Sequence, residues 1–183
     1  MKATTNARPA TKHQKDVALL VIDVQQGLFA RSTPIYHADD LLKNIGTLVD
    51  RAHRAGAPVF YVQHSSDKIL VEGSDEWRLH PRLRPLKKDR IIHKHHGSAF
   101  QDTLLGEELE ARRIRRLVVT GLVTHGCVRA TCVDASLRGY EVMLVSDGHG
   151  NFHKQAARVI AEWNQKLSDG IVQLKPTQEI DFR

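Results

Sequence analysis

The stretch that most constrains this chain is residues 117–134, LVVTGLVTHGCVRATCVD. It opens as a buried strand, because Leu117, Val118 and Val119 form an apolar, β-branched run closed by Thr120-Gly121. It continues as a helix, because Val128, Thr131, Cys132 and Ala135 recur at helical spacing. Cys127 sits at the join, at or near the helix start. A thiol there faces unpaired backbone N–H groups and the positive end of the helix dipole, so thiolate is expected to be favoured. A strand, a glycine-containing turn and a nucleophile at a helix start together lift a reactive atom above the carboxyl edge of a parallel sheet. Cys127 is therefore a candidate nucleophile of a hydrolase. Free cysteine is also among the most buried residue types and often acts as a small hydrophobe. The choice between these readings rests on the rest of the chain.

The same alternation runs throughout. Residues 16–23, DVALLVID, are a continuous apolar run ending in an acid, as in a central parallel strand buried on both faces. Asp23 lies where that strand stops, and ligands bind outside the carboxyl ends of such strands. It is either a turn and helix-cap residue or a catalytic base. Phe29, shortly after, is placed to close one wall of a pocket. Asp39 and Asp40 open a helix carrying Leu41, Leu42, Ile45, Leu48, Val49 and Ala52 on one face, stopped by Gly56. Residues 58–64, PVFYVQH, read as a second strand. Residues 65–89 have no sustained period and contain Gly73, Pro81 and Pro85, so they form a long loop of the kind that is functional or disordered. Trp77 and His80 within it are candidate pocket or interface residues. A third strand, residues 90–93, ends at Lys94, which either faces solvent or is drawn beside Cys127 and Asp23 to stabilise negative charge. Helices are expected over residues 102–111 and 153–167, and strands over residues 140–145 and 171–174. The pattern predicts a three-layer α/β/α domain with a central, mostly parallel six-stranded sheet. Right-handed crossovers would bring Asp23, Lys94 and Cys127 to one edge of it.

At 183 residues and 41% hydrophobic content the chain suits one domain, residues 16–183, preceded by a basic polar arm, residues 1–15, expected to be flexible. No apolar run approaches the roughly 20 residues needed to span a bilayer, and the N-terminal segment lacks an apolar signal region. Cys127 and Cys132, five residues apart on a helix, would have Cα atoms roughly 8–9 Å apart, too far to pair. Reduced thiols and no signal point to the cytoplasm. The net charge of +6 gathers in the arm, in residues 82–90 and in residues 112–116. It lacks interleaved aromatics and any nucleic-acid motif, so it reads as solvated surface, with neither nucleic acid nor membrane as partner. There is no glycine-rich phosphate loop. His93, His95 and His96 flank Lys94 without a carboxylate at i,i+4, so neither metal nor cofactor is expected.

Four pieces in order, ALLVIDVQQGLF, YVQH, IIHKHHGSAF and VVTGLVTHGCVRATCVDASLRGYEVMLVSDG, resemble the isochorismatase-like cysteine hydrolase superfamily, which includes nicotinamidases and N-carbamoyl-amine amidohydrolases. The resemblance implies an Asp–Lys–Cys triad at Asp23, Lys94 and Cys127. It also implies a cis peptide between Leu122 and Val123, in a turn that aims the N–H groups of Val123 and Cys127 at a substrate carbonyl. The pocket walls would come from Phe29, His64, Trp77, Val123 and Val128, with His125 as a further candidate. Nicotinamidases carry an Asp-x-His metal motif after the second strand, where this chain reads HSSDKILVEG, which argues against that activity. Siderophore-type isochorismatases lack the cysteine, which argues against vinyl-ether hydrolysis. The expectation is thiol-dependent hydrolysis of a C–N bond in a small amide, ureido or carbamoyl compound through a thioester, by a homo-oligomer, dimer or tetramer. The alternatives are a non-catalytic binding protein on the same fold, a vinyl-ether hydrolase, and a thiol redox protein; the absence of CxxC counts against the last.

Overall fold

The computed structural model describes residues 15–183 apart from His153. Of the expected arm, all but Lys15 lies outside the described residues. Six strands form one sheet: β1 (Val17–Ile22), β2 (Val59–His64), β3 (Arg90–Lys94), β4 (Arg116–Leu122), β5 (Glu141–Gly150) and β6 (Gln173–Lys175). Their spatial order is β3-β2-β1-β4-β5-β6, and every neighbouring pair is parallel. The sheet is thus wholly parallel rather than mostly so. The chain winds one way from β1 to β3 and the other way from β4 to β6, so the order reverses between β1 and β4. Such reversals leave a crevice at the carboxyl edge, because the crossovers on either side depart in opposite directions.

Helices cover both faces, which is why β1 is buried along its whole length. Val17, Leu19 and Val21 point into one cluster with Leu41, Ile45 and Leu48 of α2 (Ala38–Ala55). Ala18, Leu20 and Ile22 point the other way, with Leu105 and Leu109 of α3 (Leu105–Ala111), Cys132 of α4 (Arg129–Leu137) and Leu167 of α5 (Ala156–Ser168). The period of two along one strand therefore feeds two cores. A short α1 (Gln26–Phe29) follows β1.

Three expected elements differ. The helix expected over residues 102–111 begins only at Leu105, because Asp102 takes a left-handed φ of 54° that a helix cannot contain. The expected last helix begins at Ala156, and His153 is outside the described residues. The fifth strand runs on to Gly150 instead of stopping near Val145. Its register against β4 shifts between Val119 and Gly121, so Gly121 faces His149 and Leu122 faces Gly150. Gly121 has φ 120°, and a Cβ there would stand 2.1 Å from the Ile22 carbonyl oxygen. Only glycine lets β4 run this close to β1 at the carboxyl edge.

Candidate active site

Asp23 leaves β1 with a φ of 50°, a left-handed turn that Asp tolerates better than most residues. Its N–H still donates to the Val62 carbonyl, 2.9 Å away, so the turn hangs from the end of the sheet. Lys94 is the last residue of β3 and is fully buried. Its ammonium has three donors, and three acceptors meet it: Asp23 Oδ2 at 2.9 Å, His64 Nδ1 at 3.1 Å and the His96 carbonyl at 3.1 Å. The other carboxylate oxygen of Asp23, Oδ1, is buried and accepts no hydrogen bond among the described residues.

Cys127 arrives from β4 through a single π-helical turn, residues Thr124–Val128, that precedes α4. Gly126 breaks the helical path inside it, at φ −104° and ψ −110°, and the N–H groups of Gly126 and Val128 both close on the Val123 carbonyl. The peptide between Leu122 and Val123 is cis. Sγ of Cys127, a carboxylate oxygen of Asp23 and a ring nitrogen of His64 lie within 4.8 Å of one another. The ends of β1, β2 and β3 and the turn after β4 therefore converge on one point beside the reversal in strand order.

Burial dominates the electrostatics. It raises the Asp23 carboxyl above its usual range, against the pull of the Lys94 ammonium and of its contact with Cys127. It also pushes the Cys127 thiol up to about 12, reinforced by the neighbouring Asp23 and only partly opposed by Lys94. The thiolate expected from a helix start is thus corrected. Cys127 lies two residues ahead of α4, in an irregular turn, and desolvation and the nearby carboxylate outweigh the helix dipole. The resting group is a neutral thiol beside a base of raised pKa.

Asp23, His64 and Cys127 are ligand types for a soft divalent cation. The Lys94 ammonium, however, already sits on Asp23 and His64, and an added cation would have to displace it. Two of the histidines near Lys94 turn elsewhere: His93 packs its ring against Trp77 at 4.9 Å, and His96 Nε2 lies 3.1 Å from Asp102.

The remaining expected residues divide. Half-buried His64 is in the cluster. Trp77 anchors the long loop, its indole N–H donating to Ser65 Oγ at 2.9 Å. Phe29 lies against the His80 ring at 4.6 Å and packs on the core. His125 is held by Asn151, with Nδ2 and Nδ1 2.8 Å apart. Val128 is corrected: it is fully buried in the core under α4 and offers no surface to a ligand.

Gln25 was not singled out by sequence. It is fully buried; its Nε2 donates to the carbonyls of His64 (2.9 Å) and Trp77 (2.7 Å), and its Oε1 accepts the His64 N–H at 2.8 Å. Through that one amide, β1, β2 and the loop are locked together. The sequence signal was a glutamine three residues past a wholly apolar strand, next to the buried Val24, where a buried amide must find partners. Thr124 is a second such residue, buried with its hydroxyl 2.9 Å from His149 Nδ1 and 3.0 Å from the Gly150 carbonyl, which ties the nucleophile turn to the extended end of β5. Ser98 and Thr131 do the same for β3, bonding Asp134 (2.6 Å) and the Ala99 N–H (3.0 Å) and so fastening the segment after Lys94 to α4.

Residues 17–166 match the family model described as the isochorismatase domain. The chain is 32% identical over 164 residues to streptothricin hydrolase of Streptomyces noursei, covering 88% of this chain and 65% of that relative, so it spans under two thirds of that protein's length. It is 30% identical over 155 residues to maleamate amidohydrolase of Pseudomonas putida, covering 74% of this chain and 73% of that one. Among solved structures, N-carbamoylsarcosine amidase of Thermoplasma acidophilum superposes with a TM-score of 0.79 at 27% identity, over 90% of this chain and 98% of that one. With this sheet order, this cluster at the strand ends and a family match over most of its length, the chain belongs to the isochorismatase family of hydrolases.

Proposed function

We propose that this protein is a cysteine-dependent hydrolase of a C–N bond in a small amide, ureido or carbamoyl compound. The observation that carries the reading is the meeting of Asp23, Lys94 and Cys127 at the reversal in strand order, with one buried Asp23 oxygen left without a partner. The relatives named for amide chemistry support it.

In this mechanism Cys127 Sγ attacks the substrate carbonyl carbon while Asp23 Oδ1 takes the thiol proton. Concerted transfer suits a thiol of high pKa, because a free thiolate never has to form in a dry site. Burial raises the pKa of Asp23, so this carboxylate is a stronger base towards the thiol proton than a solvated one. The N–H groups of Val123 and Cys127 hold the developing oxyanion, and each such donor typically contributes about 10²–10³ in rate. Lys94 keeps Asp23 ionised at rest and balances the charge that passes through the site. The proton goes to the leaving nitrogen as the C–N bond breaks, releasing ammonia or an amine and leaving a thioester. Water, deprotonated by Asp23, cleaves the thioester to the acid and restores the thiol. The partner is a small molecule, not nucleic acid or membrane, and the active species is a dimer or tetramer.

The test is ammonia release over a panel of small carboxamides, ureido acids and carbamoyl amines. The native protein is expected to release ammonia from at least one class. Cys127→Ala should abolish it, and Asp23→Asn should lower it by roughly 10²–10⁴. Turnover that persists in Cys127→Ala overturns the reading.

A further inference from the structure

We propose that His64 is a positioning residue that holds the Lys94 ammonium against Asp23 only while its imidazole is neutral, so that protonating His64 disengages the Asp23–Lys94–Cys127 cluster. The proposal rests on the reading of those three groups as a triad.

An ammonium has hydrogens to donate and no lone pair to accept with. Its 3.1 Å contact with His64 Nδ1 is therefore a hydrogen bond only if Nδ1 is bare and the ring proton sits on Nε2. The other two Lys94 hydrogens are committed to Asp23 Oδ2 and the His96 carbonyl. The ammonium is saturated only with all three acceptors present. A proton on Nδ1 would remove the third and set a second cation at the same distance. Two like charges so close in a buried place cannot both persist, and the flexible partner would move. Lys94 is fully buried and Asp23 nearly so, whereas His64 is half-buried at the site's rim.

His64 is also unusually constrained for a half-exposed side chain. The Gln25 amide grips both its N–H and its carbonyl, fixing its backbone at the end of β2. Such a clamp positions the ring rather than merely filling space.

The charged groups around the imidazole come from three elements. Asp23 at the end of β1 favours the protonated ring, as does the His96 carbonyl after β3. Lys94 and His95, also from the β3 end, oppose it, and Cys127 on the π-helical turn is neutral at rest. Desolvation is the largest influence and also opposes protonation, so the balance lies below the ordinary histidine value. The site is thereby engaged at neutral pH and released on acidification.

Two measurements on the full chain decide the matter. Long-range proton–nitrogen spectra of the imidazoles, with His64 assigned through His64→Asn, should show an Nε2–H tautomer titrating below about 6.5. An Nδ1–H tautomer, or titration at or above that value, overturns the proposal. The second measurement is the rate of Cys127 alkylation by iodoacetamide against pH. Asn can supply an acceptor in place of Nδ1 but does not titrate, so in His64→Asn the acid-side fall in reactivity should move to lower pH than in the native protein. His64→Ala should be slower by about tenfold at all pH values, as for one lost hydrogen bond to a charged group. Superimposable profiles for the native protein and both variants also overturn the proposal. A native Cys127 unreactive at every pH would instead sink the triad reading, and the tautomer measurement would still stand.

Discussion

Lys94 and Asp23 form an ion pair with both side chains buried, the two groups 2.9 Å apart. Buried pairs of this kind add little net stability, because desolvation consumes most of the attraction. Breaking one partner is costly, however, since the other is stranded. Lys94→Met is accordingly expected to destabilise the fold by about 3–5 kcal/mol at neutral pH, read from urea unfolding, and adding Asp23→Asn should recover much of the loss. A loss under about 1 kcal/mol would mean that the pair is solvated. That these two residues sit at strand ends was legible in the sequence, because apolar runs stop at them. Their meeting was expected from the resemblance and is seen in the 2.9 Å pair, but the residues alone left the burial of Lys94 open, since a strand-end lysine is usually solvated. The protonation state of Cys127 was misjudged for a related reason. Sequence shows a helix to come but hides the irregular turn and the carboxylate beside the thiol, and these reverse the sign of the shift.

The elements that shape the site are the ones whose ends deviate from regularity. β5 overruns its expected end by five residues, from Val145 to Gly150, and carries His149 beneath the nucleophile turn. There His149 is buried, with Nε2 2.7 Å from Asn164 Oδ1 of α5 and Nδ1 2.9 Å from Thr124 Oγ1. Burial depresses it to about 4. The unfolded chain takes up this proton near 6.5, earlier than the folded one, so the unfolded state binds more protons between those values. His149 therefore contributes stability that is complete above about pH 6.5 and is lost as pH falls towards 4, on the order of 3 kcal/mol at most. Urea midpoints across that window should fall with pH in the native protein and fall less steeply in His149→Gln. Equal slopes would contradict the burial of a neutral ring. The sequence foresaw the strand through Tyr140 to Val145 because those residues are mostly apolar. It did not foresee the extension SDGHG, whose composition reads as a turn and whose strand conformation depends on β4 and α5.

At the scale of the whole molecule, six parallel strands whose winding order reverses between β1 and β4 create one privileged edge, and the loops there are tied down. The long segment after β2, expected to be functional or disordered, is ordered against α1 through bonds such as Gly27 N–H to the Glu76 carbonyl at 2.8 Å, with Gln25 pairing to Leu79. Alternating strands and helices made the architecture readable from sequence, since hydrophobic period reports burial. The clamp by Gln25 was not readable, because its partners are backbone groups 39 and 52 residues away. Among the described residues no helix is long and apolar enough to cross a membrane. The central claim is that this edge performs thiol chemistry on a small amide. Intact-protein mass spectrometry after brief reaction with a substrate found in the ammonia-release panel tests it most directly. The account predicts a transient adduct on the Cys127 peptide, equal to the substrate less the departing ammonia or amine and cleaved by hydroxylamine. Turnover by the native protein with no such adduct under rapid quench, or with the adduct on Cys132, would contradict it.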